Sequence, residues 1–339
     1  MEHRIALDAM GGDDAPAAVI GGALAACSAD PNATSVDVEP LQPSTILLVG
    51  DPAAIEAELA ARGGNPGFEI VPATQVIGMD ESPAQALRAK PDSSIAVAVG
   101  AVKRGRASAF VSMGNTGACV GAATLGLGTL EGVHRPGIFV TLDLTGQPLT
   151  FADMGANVAP KPEHLVQYGF MGSVYAASCL GQAKPRVGLL NIGEESSKGT
   201  DFAKKAHELL AASKLDFRGN VEGNHLFEQP VDVVVTDGFT GNVALKLMEG
   251  LATHLLRMFG KELGRRGAEW ANEVIGSIRR RVDYSEYGGA LLLGVAGTVV
   301  VGHGRSDARA VGNALHVAAR AMRAGVNDQI VEGLARVTA

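Results

Sequence analysis

Cysteine is scarce. The three in 339 residues, Cys27, Cys119 and Cys179, lie far apart with no CxxC pair, which excludes a disulfide framework and a zinc knuckle and fits a reducing compartment. Aromatic residues make up only 4%, too few for an aromatic-rich β-sandwich. Long apolar runs are missing as well: the longest, Gly289 to Gly302, falls short of the roughly 20 residues that a helix needs to cross a bilayer. The apolar stretch after Met1-Glu2-His3-Arg4 is broken by Asp8, too short and too polar for a signal peptide, so the expected location is the cytoplasm. Basic charge is in deficit, 29 Lys and Arg against 36 Asp and Glu for a net −7, which disfavours nucleic acid as a partner. Signature turns are also absent. There is no GxxxxGK[ST], and GLGTLEG at 126–132 follows a helical pattern at the wrong spacing for a dinucleotide fingerprint. Without GxSxG, HxxxH or a Cys/His cluster, a serine hydrolase elbow and a metal site have no support. No cofactor and no metal are expected.

What remains is rich in glycine, 44 residues, and 46% apolar, a composition suited to tightly wound strand, turn and helix units. No repeat is found. Short β-rich runs at 4–8, 45–50, 107–112, 137–143, 149–154, 186–193 and 231–237 mostly alternate with helical patterns at 14–27, 53–62, 82–104 (interrupted at Lys90-Pro91), 116–127, 163–180, 200–213, 242–263, 268–281 and 306–324. That order predicts an α/β fold with a doubly wound, mostly parallel sheet, read as a single catalytic domain over 1–339 with an amphipathic helical excursion at 243–282. The Pro-, Ser- and Asn-rich stretch Asp30 to Ser44 reads as a surface loop.

Several β-runs end in a polar residue followed by glycine-rich chain: Asp8 before Gly11-Gly12, Ser112 before Gly114-Asn115-Thr116-Gly117, Asp153 before Gly155, Asn191 before Gly193, and Asp237 before Gly238. In open α/β sheets such points line the carboxyl edge, where ligand crevices form, although glycine and aspartate also serve simply as turn formers and helix caps. The loop SMGNTGA (112–118) opens a helix, whose free N–H groups suit an anion. TDGFTGNVALK (236–246) sets Asp237, Thr240 and Asn242 at a strand end with Lys246 one turn inside, either to orient a substrate or to form a helix-start ion pair. Lys198 lies in the Gly-flanked loop NIGEESSKGT (191–200), and Arg135 in GVHRPG (132–137) carries a planar fork that matches phosphate or carboxylate.

Seven blocks together closely resemble one family: IALDAMGGDDAP (5–16), FVSMGNTGA (110–118), GVHRPGI (132–138), DMGANV (153–158), LLNIGEESSKGT (189–200), DVVVTDGFTGNVALK (232–246) and DYSEYGGALLLG (283–294). They are similar, in order, to the bacterial phosphate acyltransferases. The chain departs from the family's spelling at Glu194, Ser196, Ser197 and Thr200 of the lysine loop and at His225. The resemblance implies transfer of a fatty acyl group from acyl carrier protein to inorganic phosphate, giving acyl phosphate for a membrane glycerol-3-phosphate acyltransferase. It also implies a homodimer with the fold of phosphotransacetylases and isocitrate/isopropylmalate dehydrogenases. The nearest alternative is a phosphotransacetylase acting on acyl coenzyme A.

Phosphate is already an oxyanion near neutral pH, so its attack on a thioester calls for positioning and charge stabilisation, not for a protein nucleophile. The expected catalytic residues are Lys198, Asn115 and Asp237. Asn115, Thr116 and the amides of Gly114 and Gly117 would cradle an oxyanion, and Lys198 and Arg135 would neutralise phosphate. Asp237, Asn242 and Lys246 would line another wall, with Asp8 and Asp13 organising the Gly11-Gly12 turn. In 243–282 apolar residues recur at helical spacing, and from Arg257 to Arg281 seven basic residues, Arg265, Arg266, Arg279 and Arg280 among them, face three acidic ones. Such a basic amphipathic surface suits anionic lipid, the acidic carrier protein or a dimer contact.

Overall fold

The computed structural model describes residues 3–29, 39–143, 145–228, 230–265, 270, 274–276, 278 and 288–337. The chain falls into two compact units, Met1–Pro136 with Ser285–Ala335, and Gly137–Tyr284 with Arg336–Ala339. The sequence reading, which takes 1–339 as one domain, does not mark this division.

In the first unit, β1 (Ile5–Asp8), α1 (Ala17–Ala26), β2 (Ile46–Gly50), α2 (Pro52–Ala61), β3 (Glu69–Pro72), α3 (Pro83–Ala89), α4 (Ser94–Lys103), β4 (Ala109–Ser112) and α5 (Thr116–Leu127) precede the second unit. After it come β10 (Ala290–Leu293), β11 (Thr298–Val301), α9 (Ala308–Arg323) and α10 (Val326–Val337). The strands lie in the order β3-β2-β1-β4-β11-β10, all parallel except the antiparallel β10–β11 pair. Every residue of β1, β2 and β4 is buried, as the unbroken apolar runs of a doubly covered parallel sheet require. The expected break at Lys90-Pro91 separates α3 from α4. There a proline disfavours the helical region for its predecessor, and Ser93 restarts the helix by accepting a hydrogen bond from the Ala96 amide. Helices α1 and α9 pack closely enough that a Cβ on Gly22 would lie 2.6 Å from the Ala308 carbonyl oxygen.

The second unit contains β5 (Gly137–Asp143), β6 (Pro148–Ala152), α6 (Pro162–Cys179), β7 (Arg186–Asn191), α7 (Asp201–Ala212), β8 (Asp216–Glu222), β9 (Val233–Val235) and α8 (Gly238–Arg265). Its strand order is β5-β6-β9-β7-β8. The β5–β6 hairpin is antiparallel and the other pairs are parallel, so β6, β9, β7 and β8 all release their carboxyl ends on one edge. Helix α8 starts four residues earlier than its periodicity suggests, because Asp237 caps it: its Oδ1 accepts from the Thr240 amide at 2.8 Å. Most of the expected helix 268–281, including Arg279 and Arg280, lies outside the described residues, as do Arg266 and the greater part of the 30–44 loop. Among the described residues no helix is long and apolar enough to cross a membrane.

The sheet contains four strands that the sequence reading does not mark: β3, β8, β10 and β11. The last two come from the apolar run Gly289 to Gly302, which folds back on itself as a hairpin.

Candidate active site

In the first unit the chain places β2 on one side of β1 and β4 on the other, a reversal of strand order that opens a crevice at the carboxyl ends. The loops that begin at Asp8 and Ser112 sit there. Asp8 is fully buried; its Oδ2 accepts from Ser112 Oγ at 2.6 Å and its Oδ1 from the Met10 amide at 3.1 Å. The Gly114 amide donates to Ser112 Oγ at 3.0 Å. Gly11 has no room for a side chain, since a Cβ would lie 2.5 Å from Asp8 Oδ2 and 2.7 Å from the Gly114 amide nitrogen. Asp8 thus ties the Gly11-Gly12 turn to the Gly114 loop.

Burial pushes the Asp8 carboxyl above its ordinary 3.8, against the pull of hydrogen bonds from Ser112, Ser94 and the Met10 and Gly11 amides. A carboxyl raised by folding contributes stability that is present below the unfolded value and lost as pH rises through the folded one. Asp8→Asn is therefore expected to flatten the pH dependence of unfolding free energy above 3.8, measured by urea denaturation across the acid range.

Asn115 is oriented differently from the sequence expectation of a free donor. Its Oδ1 accepts from the Ala118 amide at 3.1 Å, capping α5. Its Nδ2 points to the carbonyls of Gly78, Met79 and Glu81 at 3.0–3.2 Å. That segment is itself braced by an ion pair between Lys90 and Glu81 and by the Gly78 amide donating to Glu81 Oε1 at 2.7 Å. The Asn115 amide is thus committed to holding the loop in place, while Thr116 and Gly117 stand exposed at the first turn of α5, the end that favours anions. Arg135 and Asp13 are exposed too.

A third loop, Gly302-His303-Gly304-Arg305-Ser306, joins this crevice without having been singled out in the sequence. The Gly302 amide donates to the Ser112 carbonyl at 2.9 Å and the Asp13 amide to the Gly304 carbonyl at 2.7 Å. Its signal was there to find: a glycine-flanked basic stretch at the end of an apolar run.

In the second unit the organising group is Asp153, fully buried at the end of β6. Oδ1 accepts from the amides of Ile138, Gly155 and Ala156 at 2.9, 3.1 and 2.9 Å; Oδ2 accepts from the Asn157 amide at 2.7 Å and from Asn157 Nδ2 at 3.1 Å. Burial raises this carboxyl although the donors oppose it. The Asn157 carbonyl accepts from the Gly238 amide at 2.9 Å, and a Cβ at Gly155 would lie 3.5 Å from Asn242 Cγ, so the 153–158 loop is fastened to the start of α8. There Asp237 receives Thr240 Oγ1 at 2.7 Å as well as its amide, and Lys246 pairs with Glu249 at 3.1 Å. The helix-start ion pair between Asp237 and Lys246 that the sequence left open is replaced by these two local contacts. Asn242 and Thr240 are exposed.

Next to β9, strand β7 delivers the lysine loop. The Asn191 side chain donates to the Lys198 carbonyl at 3.2 Å, the Lys198 amide donates to the Glu195 carbonyl at 3.0 Å, and Asn220 Nδ2 reaches the same carbonyl at 2.9 Å. The lysine stem folds over Gly193, where a Cβ would lie 2.8 Å from Lys198 Cγ. Lys198 itself is exposed.

Cys119 and Cys27 are poorly suited to act as thiolates. Burial pushes Cys119 up to about 12 and Cys27 up to about 11, leaving almost no thiolate near neutrality. Among the described residues no group of His, Cys, Asp and Glu is arranged to hold a metal ion.

The family model described as "Fatty acid synthesis protein" matches residues 3–329. The chain is 44% identical to a phosphate acyltransferase of Desulfitobacterium hafniense over 99% of this chain and 98% of that one. It is 45% identical to a phosphate acyltransferase of Heliobacterium modesticaldum over 98% and 96%. Among solved structures, a phosphotransacetylase from Streptococcus pyogenes aligns with a TM-score of 0.61 at 16% identity, covering 95% of this chain and 94% of that one. A 4-hydroxythreonine-4-phosphate dehydrogenase from Klebsiella pneumoniae aligns at 0.52 and 13%, covering 94% and 100%. These two likenesses show the α/β fold with its mostly parallel sheet. Glycine-rich strand ends, near full-length identity and the family match lead to one assignment: this chain belongs to the phosphate acyltransferase family of fatty acid and phospholipid synthesis, a family of acyltransferase enzymes.

Proposed function

We propose that the protein transfers a fatty acyl group from acyl carrier protein to inorganic phosphate, with phosphate itself attacking the thioester. The observation that carries this reading is the carboxyl edge of the second unit. There the adjacent parallel strands β6, β9 and β7 present the Asp153-anchored loop, the Asp237–Asn242 turn and the Lys198 loop side by side. Lys198 neutralises phosphate, Asn242 and Thr240 donate or accept at its edge, and Asp237 fixes the turn that carries them. In the first unit the open turn of α5, with Thr116, Gly114 and Gly117, is a second anion-binding element, held in shape by Asn115, Asp8, Gly11, Gly12 and Asp13; Arg135 adds positive charge nearby in sequence.

A phosphate oxygen forms a bond to the carbonyl carbon, the carbon–sulfur bond breaks, and the carrier's thiolate leaves. A thiol of ordinary pKa, about 8.5, needs little acid assistance to depart. Incubation with acyl carrier thioester and phosphate, followed by hydroxylamine trapping, should yield hydroxamate. Activity with acyl coenzyme A alone would favour the phosphotransacetylase-type alternative, and no hydroxamate from either donor would refute acyl transfer.

The protein is further proposed to act as a cytoplasmic homodimer that meets an anionic membrane, where a glycerol-3-phosphate acyltransferase would take its product. Helix α8 supports this with an exposed stripe, Val243, Leu247, Leu251, Leu255, Met258 and Phe259, beside the exposed Arg257, Lys261 and Arg265. Each surface cation near anionic lipid contributes about 1 kcal/mol, so Arg265→Glu should weaken co-sedimentation with anionic vesicles on the order of tenfold. Unchanged vesicle binding would count against the membrane contact and leave the carrier protein or a dimer partner to cover the stripe.

A further inference from the structure

The strand edge that carries the proposed phosphate-binding loops also leaves large apolar side chains in water. Val158 follows β6, Phe239 follows β9, Ile192 follows β7 and Phe227 follows β8, with exposures of 66%, 61%, 81% and 57%. A single exposed apolar residue needs no explanation, but here four consecutive strand ends each supply one. The opposite edge is different. Among the described residues, the loops entering these strands at 145–147, 180–185, 213–215 and 230–232 expose no large apolar side chain.

The four positions are also tied to one another. The Gly238 amide bonds to the Asn157 carbonyl, which links the Val158 loop to the turn bearing Phe239. His225 Nδ1 lies 3.0 Å from Glu194 Oε1, which links the Phe227 turn to the Ile192 loop. Strands β9 and β7 are hydrogen-bonded neighbours, so the two pairs adjoin. Three inter-strand steps of about 4.8 Å each separate β6 from β8 by roughly 14 Å, the span over which the four positions are distributed. Polar groups of the same loops, Lys198 and Asn242, lie beside them in sequence.

We propose that this row is the track for the substrate's hydrocarbon chain, with Val158, Phe239, Ile192 and Phe227 setting the preference for acyl length. It rests on the acyl-transfer reading above and adds to it the residues that select the chain. A polar head held by the lysine loop and an apolar tail laid across neighbouring strand ends match the two halves of a fatty thioester. Each methylene buried along the row should raise kcat/KM by up to about fourfold.

The test compares the full-length protein with Ile192→Asn and Phe227→Ser, using butyryl, octanoyl, dodecanoyl and palmitoyl thioesters of acyl carrier protein. Phe227→Leu serves as the conservative control, and thermal midpoints confirm folding. The wild-type protein and Phe227→Leu should favour the longer chains. The two polar variants should lose on the order of tenfold in kcat/KM for dodecanoyl and palmitoyl donors while keeping the butyryl rate. Equal losses at every length, or a wild-type rate indifferent to length, would overturn the track while leaving acyl transfer standing. An unchanged length profile with an altered sedimentation coefficient would overturn it in favour of a second copy covering this edge. Absence of acyl phosphate from every donor would overturn both readings together.

Discussion

Lys198→Ala is expected to lower kcat/KM for phosphate by about 10²–10³-fold, the loss found when one well-placed charged or hydrogen-bonding group is removed from a developing oxyanion. The structure gives the reason for so large an effect from an exposed residue. The loop is fixed on both sides, by Asn191 to the Lys198 carbonyl and by Asn220 to the Glu195 carbonyl. Its stem lies over Gly193 with no space for another side chain. With the backbone and the start of the stem already placed, little loop ordering is required when the lysine meets an anion. Lys198→Arg should restore part of the activity, because charge is retained while the compact ammonium is replaced by a planar fork. Hydroxamate formation measured against phosphate concentration reads both parameters. A variant with unchanged turnover and unchanged phosphate KM would remove Lys198 from the site.

Asp153→Ala should be the most destabilising single change at the carboxyl edge. Five donors converge on this buried carboxylate, and each buried donor left unsatisfied costs about 1–3 kcal/mol. With water admitted to part of the gap, a net loss of about 4 kcal/mol is expected, which for a protein of this size lowers the thermal midpoint by roughly 6 °C. Asp153→Asn keeps one acceptor oxygen and should cost about half as much. Circular dichroism melting curves measure the difference. Activity should fall with stability in the alanine variant, because the Gly238 amide depends on the Asn157 carbonyl and the Asp237–Asn242 turn is placed through it. A melting curve indistinguishable from wild type would show that the 153–158 loop is held by other means.

Much of the scaffold could be read from the sequence, for identifiable physical reasons. Strands β1, β2, β4, β5, β6, β7 and β9 are apolar runs closed by a polar residue and glycine, and α5 begins at Thr116, directly after the capping Asn115. The strands that went unmarked each lack one of these cues. β8 reads Asp-Phe-Arg-Gly-Asn-Val-Glu, polar because it sits at the edge, and its register with β7 slips between Val187 and Leu189 beside Gly219 at φ +97°. β3 is four residues long and ends in proline. β10 and β11 share one apolar run whose turn is marked only by the glycines at 294 and 297.

Side-chain commitments were less legible than strand ends. That Asn115 would spend its amide on carbonyls at 78, 79 and 81 depends on a segment more than thirty positions away in the chain. The sequence marks Asp153 as a strand-end residue, but one acid before a glycine does not reveal five converging donors. For Lys246, local helical spacing to Glu249 prevailed over the carboxylate at Asp237, which Thr240 already occupies.

Direct transfer makes phosphate itself the nucleophile. The most direct measurement is the intact mass of the protein after rapid mixing with acyl carrier thioester, first without phosphate and then with it. With phosphate as nucleophile, the protein mass stays unmodified at every time point and the carrier's thiol is released only once phosphate is added. A protein heavier by one acyl group, or thiol released before phosphate arrives, would contradict it.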